Sequence, residues 1–132
     1  MSSTDLYREE LLEHYRHPQN FGKLKSADFS AHKLNPLCGD DIRLQMATDK
    51  KGKIIKIKFS GSGCVLSIAS ASMLTEQLKG RRITGLERIK PQTVLNNFPV
   101  PPSPARKKCA LLIYDALQEI LNNVKLKNQN GK

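Results

Sequence analysis

Cys38, Cys64 and Cys109 stand in three different local settings, and each setting favours a thiolate. Cys38 lies in Asn35-Pro36-Leu37-Cys38-Gly39-Asp40, where Pro36 and Gly39 let the backbone turn sharply and present the sulfur. Cys64 closes Gly61-Ser62-Gly63-Cys64 at the start of a helical pattern, where unpaired N–H groups and the helix dipole favour negative charge. Cys109 follows Arg106-Lys107-Lys108, whose positive charges act in the same direction. Asp40, two residues after Cys38, adds a carboxylate. Three thiolates and one carboxylate are enough to hold a tetrahedral metal. A single free cysteine is commonly just a small buried hydrophobe. Three of them, each beside a thiolate-favouring feature, point instead to metal or sulfur chemistry. The C-x-x-C pairs that mark most structural zinc sites are absent.

The histidines are weaker candidates. His14 and His17 are spaced to share a helix face, but they precede Pro18, where an imidazolium simply complements the helix dipole. His32 is isolated in an expected strand.

The cysteines are far apart in the chain, so the fold must bring them together. A helix is predicted over Asp5–His17, capped by Thr4 or Asp5 and ended by Pro18, followed by a loop containing Gly22. Phe29–Leu34 reads as a short strand. Ile42–Met46 and Ile55–Phe59 alternate apolar and polar residues and are joined by Asp49-Lys50-Lys51-Gly52 as an antiparallel hairpin. Ile42, Leu44, Met46, Ile55, Ile57 and Phe59 would then share the buried face. Cys64–Lys79 reads as a helix of small residues that can approach a sheet closely, with Gly80 as its stop. Ile83–Asn97 suggests one or two short helices broken at Pro91, and Phe98–Pro104 a stiff connector. The last helix is expected to start with Ser103 as N-cap and Pro104 at its first position. Its apolar stripe is Ala110, Ile113, Tyr114, Leu117, Leu121 and Val124, and a polar, frayed tail follows from Lys125. The expected class is α+β: a small antiparallel sheet of about three strands with helices packed on one face. One domain over 1–132 is expected, its core about 5–125 and its tail 126–132.

At 132 residues the chain can bury a core without staples. No apolar stretch is long enough to span a membrane, and Met1-Ser2-Ser3-Thr4-Asp5 lacks the pattern of a signal peptide. An odd cysteine count without a secretion signal argues for a reducing compartment, hence the cytoplasm. The net charge of +10 raises nucleic acid as a partner. The lysines are scattered, however, and few aromatics are available for base stacking, so a dedicated nucleic-acid module is the remote reading and an acidic protein partner uses the same charge.

Asn35-Pro36-x-Cys38-Gly39-Asp40, Gly61-x-Gly63-Cys64-x-x-Ser67-x-Ala69-Ser70-x-Ser72-Met73 and Pro104-Ala105-Arg106-x-x-Cys109 resemble the three signature blocks of the U-type iron–sulfur cluster assembly proteins: SufU, IscU and the N-terminal domain of NifU. The opening Leu6-Tyr7…His14-Tyr15…Pro18-x-Asn20-x-Gly22 is similar to that family's first helix and loop. The resemblance implies a SufU/IscU-like fold in which Cys38, Asp40, Cys64 and Cys109 form one site for zinc, or for iron as a nascent [2Fe–2S] cluster. It implies a pyridoxal-phosphate cysteine desulfurase as partner, which delivers persulfide sulfur to Cys38, with Arg106 near the metal. It also implies downstream iron–sulfur acceptor proteins. Such a chain is a sulfur acceptor or scaffold and is sulfurtransferase-like only together with its desulfurase. Lys108 stands where IscU members have histidine, and Pro99-Val100-Pro101-Pro102-Ser103 stands where they carry Leu-Pro-Pro-Val-Lys. Ser70-Ala71-Ser72-Met73 and Pro104-Ala105-Arg106 look SufU-like, but the longer SufU insertion between the second and third cysteines is absent. Two roles follow from the resemblance: a zinc-dependent persulfide acceptor, or an IscU-type [2Fe–2S] scaffold.

Overall fold

The computed structural model describes residues 3–37, 39–98 and 100–130, so Cys38 and Pro99 lie outside the described residues. Helix α1 (Ser3–Arg16) leads into strands β1 (Phe29–Asn35), β2 (Asp40–Thr48) and β3 (Ile54–Ser62). Helix α2 (Val65–Leu78), a 3-10 helix (Ile83–Arg88), and helices α3 (Pro91–Leu95), α4 (Pro104–Ala110) and α5 (Leu112–Asn130) follow. The strands form one antiparallel sheet in the order β1-β2-β3. The α+β class and the three-strand sheet are those expected from the sequence.

Alternation drives the sheet's burial. Ile42, Leu44 and Met46 of β2 are fully buried, while Arg43 between them is exposed. α2 and α5 cover that buried face, and Leu74, Leu78, Ile113, Leu117 and Ile120 complete the core. α1 packs on α2 rather than on the sheet, which leaves α2 enclosed on nearly every side. The serines and threonine of α2 are therefore buried, and their hydroxyls must find partners inside the protein. Ser72 Oγ meets His14 Nδ1 at 2.7 Å and accepts the Gln19 N–H at 2.8 Å. Thr75 Oγ1 accepts from Asn20 Nδ2 at 3.1 Å and donates back to the Ala71 carbonyl at 2.8 Å. His14 thus ties α1 to α2, a contact that its place near the end of α1 did not announce.

Four local expectations are corrected. Ile55 is 49% exposed and Ile54 is buried in its place, because a β-bulge sets Ala47 opposite Lys56 and Thr48 opposite Ile54. The final helix is two helices, interrupted at Leu111, whose φ and ψ are −94° and 1°. The physical cause lies in α2: Ser70 Oγ donates to the Ala110 carbonyl at 2.6 Å and competes with the helix's own ladder there. Ser103 does occupy the N-cap position of α4, but its hydroxyl makes no capping bond; its carbonyl accepts from the Arg106 and Lys107 N–H groups instead. Lastly, α5 runs on through Asn130, since the lysines and Leu126 past Val124 are good helix formers and need no core to continue the spiral.

Candidate metal centre

The site lies where the start of β2 and the end of β3 meet the start of α2 and the end of α4. Asp40 opens β2 opposite Asn35, and Asp41 faces Ser62 of β3. Gly61 makes this end of the sheet possible. Its φ is +130°, and a Cβ there would stand 2.1 Å from the Asp41 carbonyl oxygen. The chain can therefore cross close over β2 and deliver Gly63 and Cys64 beside Asp40. At Gly63 a Cβ would lie 3.0 Å from the Ser67 Cβ and 3.2 Å from the Asp40 Cγ, so a side chain would crowd the carboxylate.

Cys64 is the N-cap of α2, in extended backbone, and no side chain caps the helix from that position. Asp40, from β2, instead accepts from the N-cap residue itself and from a hydroxyl in the first turn. Its Oδ1 accepts the Cys64 N–H at 3.2 Å, and its Oδ2 accepts the Ser67 hydroxyl. A carboxylate that is only 4% exposed is tolerable because charged-acceptor hydrogen bonds offset its desolvation. Ser67 is fully buried, and its oxygen also lies 3.6 Å from Cys64 Sγ. Cys109, buried near the end of α4, completes the group. One ligand atom from each of Asp40, Cys64 and Cys109 lies within 4.8 Å of the others. That is the separation of atoms that can share one metal ion, given small rotamer adjustments. Two sulfurs and one oxygen suit zinc, and equally iron in a sulfide cluster.

Of the residues singled out in the sequence, Asp40, Cys64 and Cys109 converge. Arg106 is exposed on α4, three residues before Cys109. Cys38 lies outside the described residues, but its flanks form a defined turn: the Gly39 N–H donates to the Asn35 carbonyl at 2.8 Å and the Leu37 N–H to Asn35 Oδ1 at 3.1 Å. Gly39 has φ +75°. His17 stays exposed at the end of α1, and His32 pairs with Asp41 at 3.1 Å on the solvent face. The His32 bond is the main cause that holds the Asp41 carboxyl below its ordinary value, opposed by partial desolvation and aided by Ser62. Sequence reasoning passed over Ser67 as a small helix residue. Its signal was position: one turn past an N-terminal cysteine, on the side that faces the ligands. Beside the site, Leu34, Pro36, Leu37, Lys108, Leu111 and Asp115 line a groove of about 370 Å³.

Comparison with known proteins matches this arrangement to one family. Residues 6–130 match the model of the NifU-like N-terminal domain. The iron–sulfur cluster assembly enzyme IscU of Drosophila melanogaster is 35% identical over 127 residues, covering 94% of this chain and 81% of that protein. The iron–sulfur cluster assembly scaffold protein IscU of Azotobacter vinelandii is 34% identical over 124 residues, covering 92% and 95%. Among solved structures, FiSufU of Fervidobacterium islandicum, described as a candidate iron–sulfur cluster assembly scaffold for the SUF system, superposes with a TM-score of 0.72 at 26% identity, covering 91% of this chain and 99% of that one. The N-terminal NifU-like protein of Brucella abortus shares the fold, with a TM-score of 0.74 at 22% identity over 93% and 96% of the two chains. With the match running from α1 to the end of α5 and taking in every ligand candidate, the chain belongs to the NifU-like N-terminal domain family of U-type iron–sulfur cluster assembly proteins.

Proposed function

We propose that this protein serves iron–sulfur cluster assembly by accepting persulfide sulfur from a pyridoxal-phosphate cysteine desulfurase at a site formed by Cys38, Asp40, Cys64 and Cys109. The observation that carries this reading is the convergence of Asp40, Cys64 and Cys109 within 4.8 Å. Cys38, two residues before Asp40 in the sequence, is the fourth ligand and the acceptor. Its thiolate attacks the terminal sulfur of the donor persulfide. The S–S bond breaks, the donor cysteine leaves as thiolate, and the persulfide now rests on Cys38. When bound, zinc holds the site thiols deprotonated and protected until the donor arrives. Arg106, exposed one helical turn from Cys109, supplies positive charge toward the incoming persulfide anion. Iron–sulfur proteins receive the product, and the setting is the cytoplasm.

A second reading is favoured by the names of the IscU relatives: the same ligands hold a [2Fe–2S] cluster as cargo, built in place and passed on. Three sulfurs and one oxygen suit a labile cluster, since four thiolates would hold it more firmly. One experiment separates the two. Zinc-loaded protein is added to its cysteine desulfurase with cysteine, and alanine release is followed without iron. Stimulation that disappears in Cys38→Ala supports the zinc-dependent acceptor. Absence of stimulation, with cluster assembly once iron and reductant are supplied, supports the scaffold.

A further inference from the structure

Asp40 poses a physical problem that its neighbour Ser67 solves. A carboxylate 4% exposed to solvent has little water to turn to when it lets go of a metal. An uncompensated buried charge is costly enough to forbid that step unless protein donors receive it. The structure places such donors beside it. Asp40 Oδ1 takes the Cys64 N–H, and Oδ2 takes the hydroxyl of Ser67, which is itself fully buried. The backbone N–H is fixed at the start of α2, whereas a hydroxyl can rotate. With Asp40 turned toward the metal, the Ser67 proton has a second acceptor in Cys64 Sγ, 3.6 Å away. Gly63 keeps the space between these groups open.

We propose that Ser67 is a positioning residue that catches the Asp40 carboxylate when it leaves the metal, and so makes Asp40 the exchangeable ligand of the site. The inference rests on the metal-site reading above and assigns to Ser67 the control of release. It differs from the role of the other buried hydroxyls of α2, which anchor neighbouring elements: Ser72 the α1 segment and Ser70 the α4–α5 junction.

The test is the rate at which zinc passes from the loaded protein to a chromophoric chelator in excess, which needs neither desulfurase nor iron. Ser67→Ala removes a charge-assisted hydrogen bond to the carboxylate from the released state and only a weaker hydroxyl–sulfur contact from the bound one, so release is expected to slow by roughly tenfold. In an Asp40→Ala background the same change should have no further effect, because nothing remains to be caught. Ser72→Ala, an equal truncation five residues along α2, should lower thermal stability yet release zinc at the wild-type rate. Unchanged or faster release in Ser67→Ala overturns the proposal. So does an effect that persists in the Asp40→Ala background, or one that Ser72→Ala reproduces. A wild-type protein that binds no zinc through Cys64 and Cys109 overturns the metal-site reading and the role of Ser67 with it. Normal binding with unaltered release in Ser67→Ala removes only the latter.

Discussion

Gly61 lies so close to Asp41 that its missing Cβ would stand 2.1 Å from the Asp41 carbonyl oxygen. This approach joins the end of β3 to the start of β2 and sets Cys64 beside Asp40. Gly61→Ala must move backbone, because the clashing atom belongs to the main chain, and it also meets an unfavourable φ of +130°. The expected loss is about 2–4 kcal/mol of stability. Chemical denaturation measures that loss, and zinc titration of the folded fraction should show weaker binding. A substitution tolerated within about 0.5 kcal/mol would mean that this loop does not constrain the site.

Ser70 reaches across from α2 to the Ala110 carbonyl at 2.6 Å, where α4 gives way to α5. Cys109 precedes that carbonyl, so the bond fixes the sulfur's position through the backbone. Ser70→Ala leaves the buried carbonyl without this donor and favours one continuous helix. We expect a loss of about 1–2 kcal/mol and reduced metal affinity, while Cys109 remains chemically intact. Isothermal titration with zinc, alongside a thermal melt, separates the two effects. Wild-type affinity at lowered stability would show that the α4–α5 break does not position Cys109.

Asp41 carries a pH signature. Its carboxyl sits below the ordinary value of 3.8, chiefly through the His32 hydrogen bond. A lowered folded-state pKa stabilises the fold above the ordinary value, and this contribution is lost as pH falls through the lowered one. Asp41→Asn should therefore flatten the stability curve as pH falls below about 5. The pair is partly exposed and screened, so the difference should stay below about 1 kcal/mol. Urea denaturation across that range measures it. Identical acid limbs would show the pair to be energetically silent.

Elements with one dominant local signal were legible in the sequence. Gly80 stops α2, Pro91 begins α3, and the alternation of Ile42, Leu44 and Met46 sets the inward face of β2. Features decided by contacts distant in the chain were not. The bulge that turns Ile55 outward depends on pairing with β2, and the break at Leu111 depends on Ser70, which bonds the carbonyl of Ala110 forty residues further on. The candidate ligands carried chemical signals of their own, a turn or a glycine pair or a run of cations. Ser67 carried only its position one turn past Cys64, because its importance comes from facing Asp40 across the fold.

Asp40 is the one hard oxygen donor among softer sulfurs, and its two hydrogen-bond donors give it somewhere to go. Release of metal or cluster should therefore run through Asp40, the remaining thiolates holding on more firmly. Asp40→Ala removes that route. The expected result is a longer-lived iron–sulfur cluster together with slower transfer to an acceptor protein, a pair of changes opposite to simple loss of a ligand. Cluster absorbance decay and the transfer rate, measured on the same preparation, test it. A shorter cluster lifetime would reduce Asp40 to an ordinary ligand, and unchanged values for both would remove it from the mechanism.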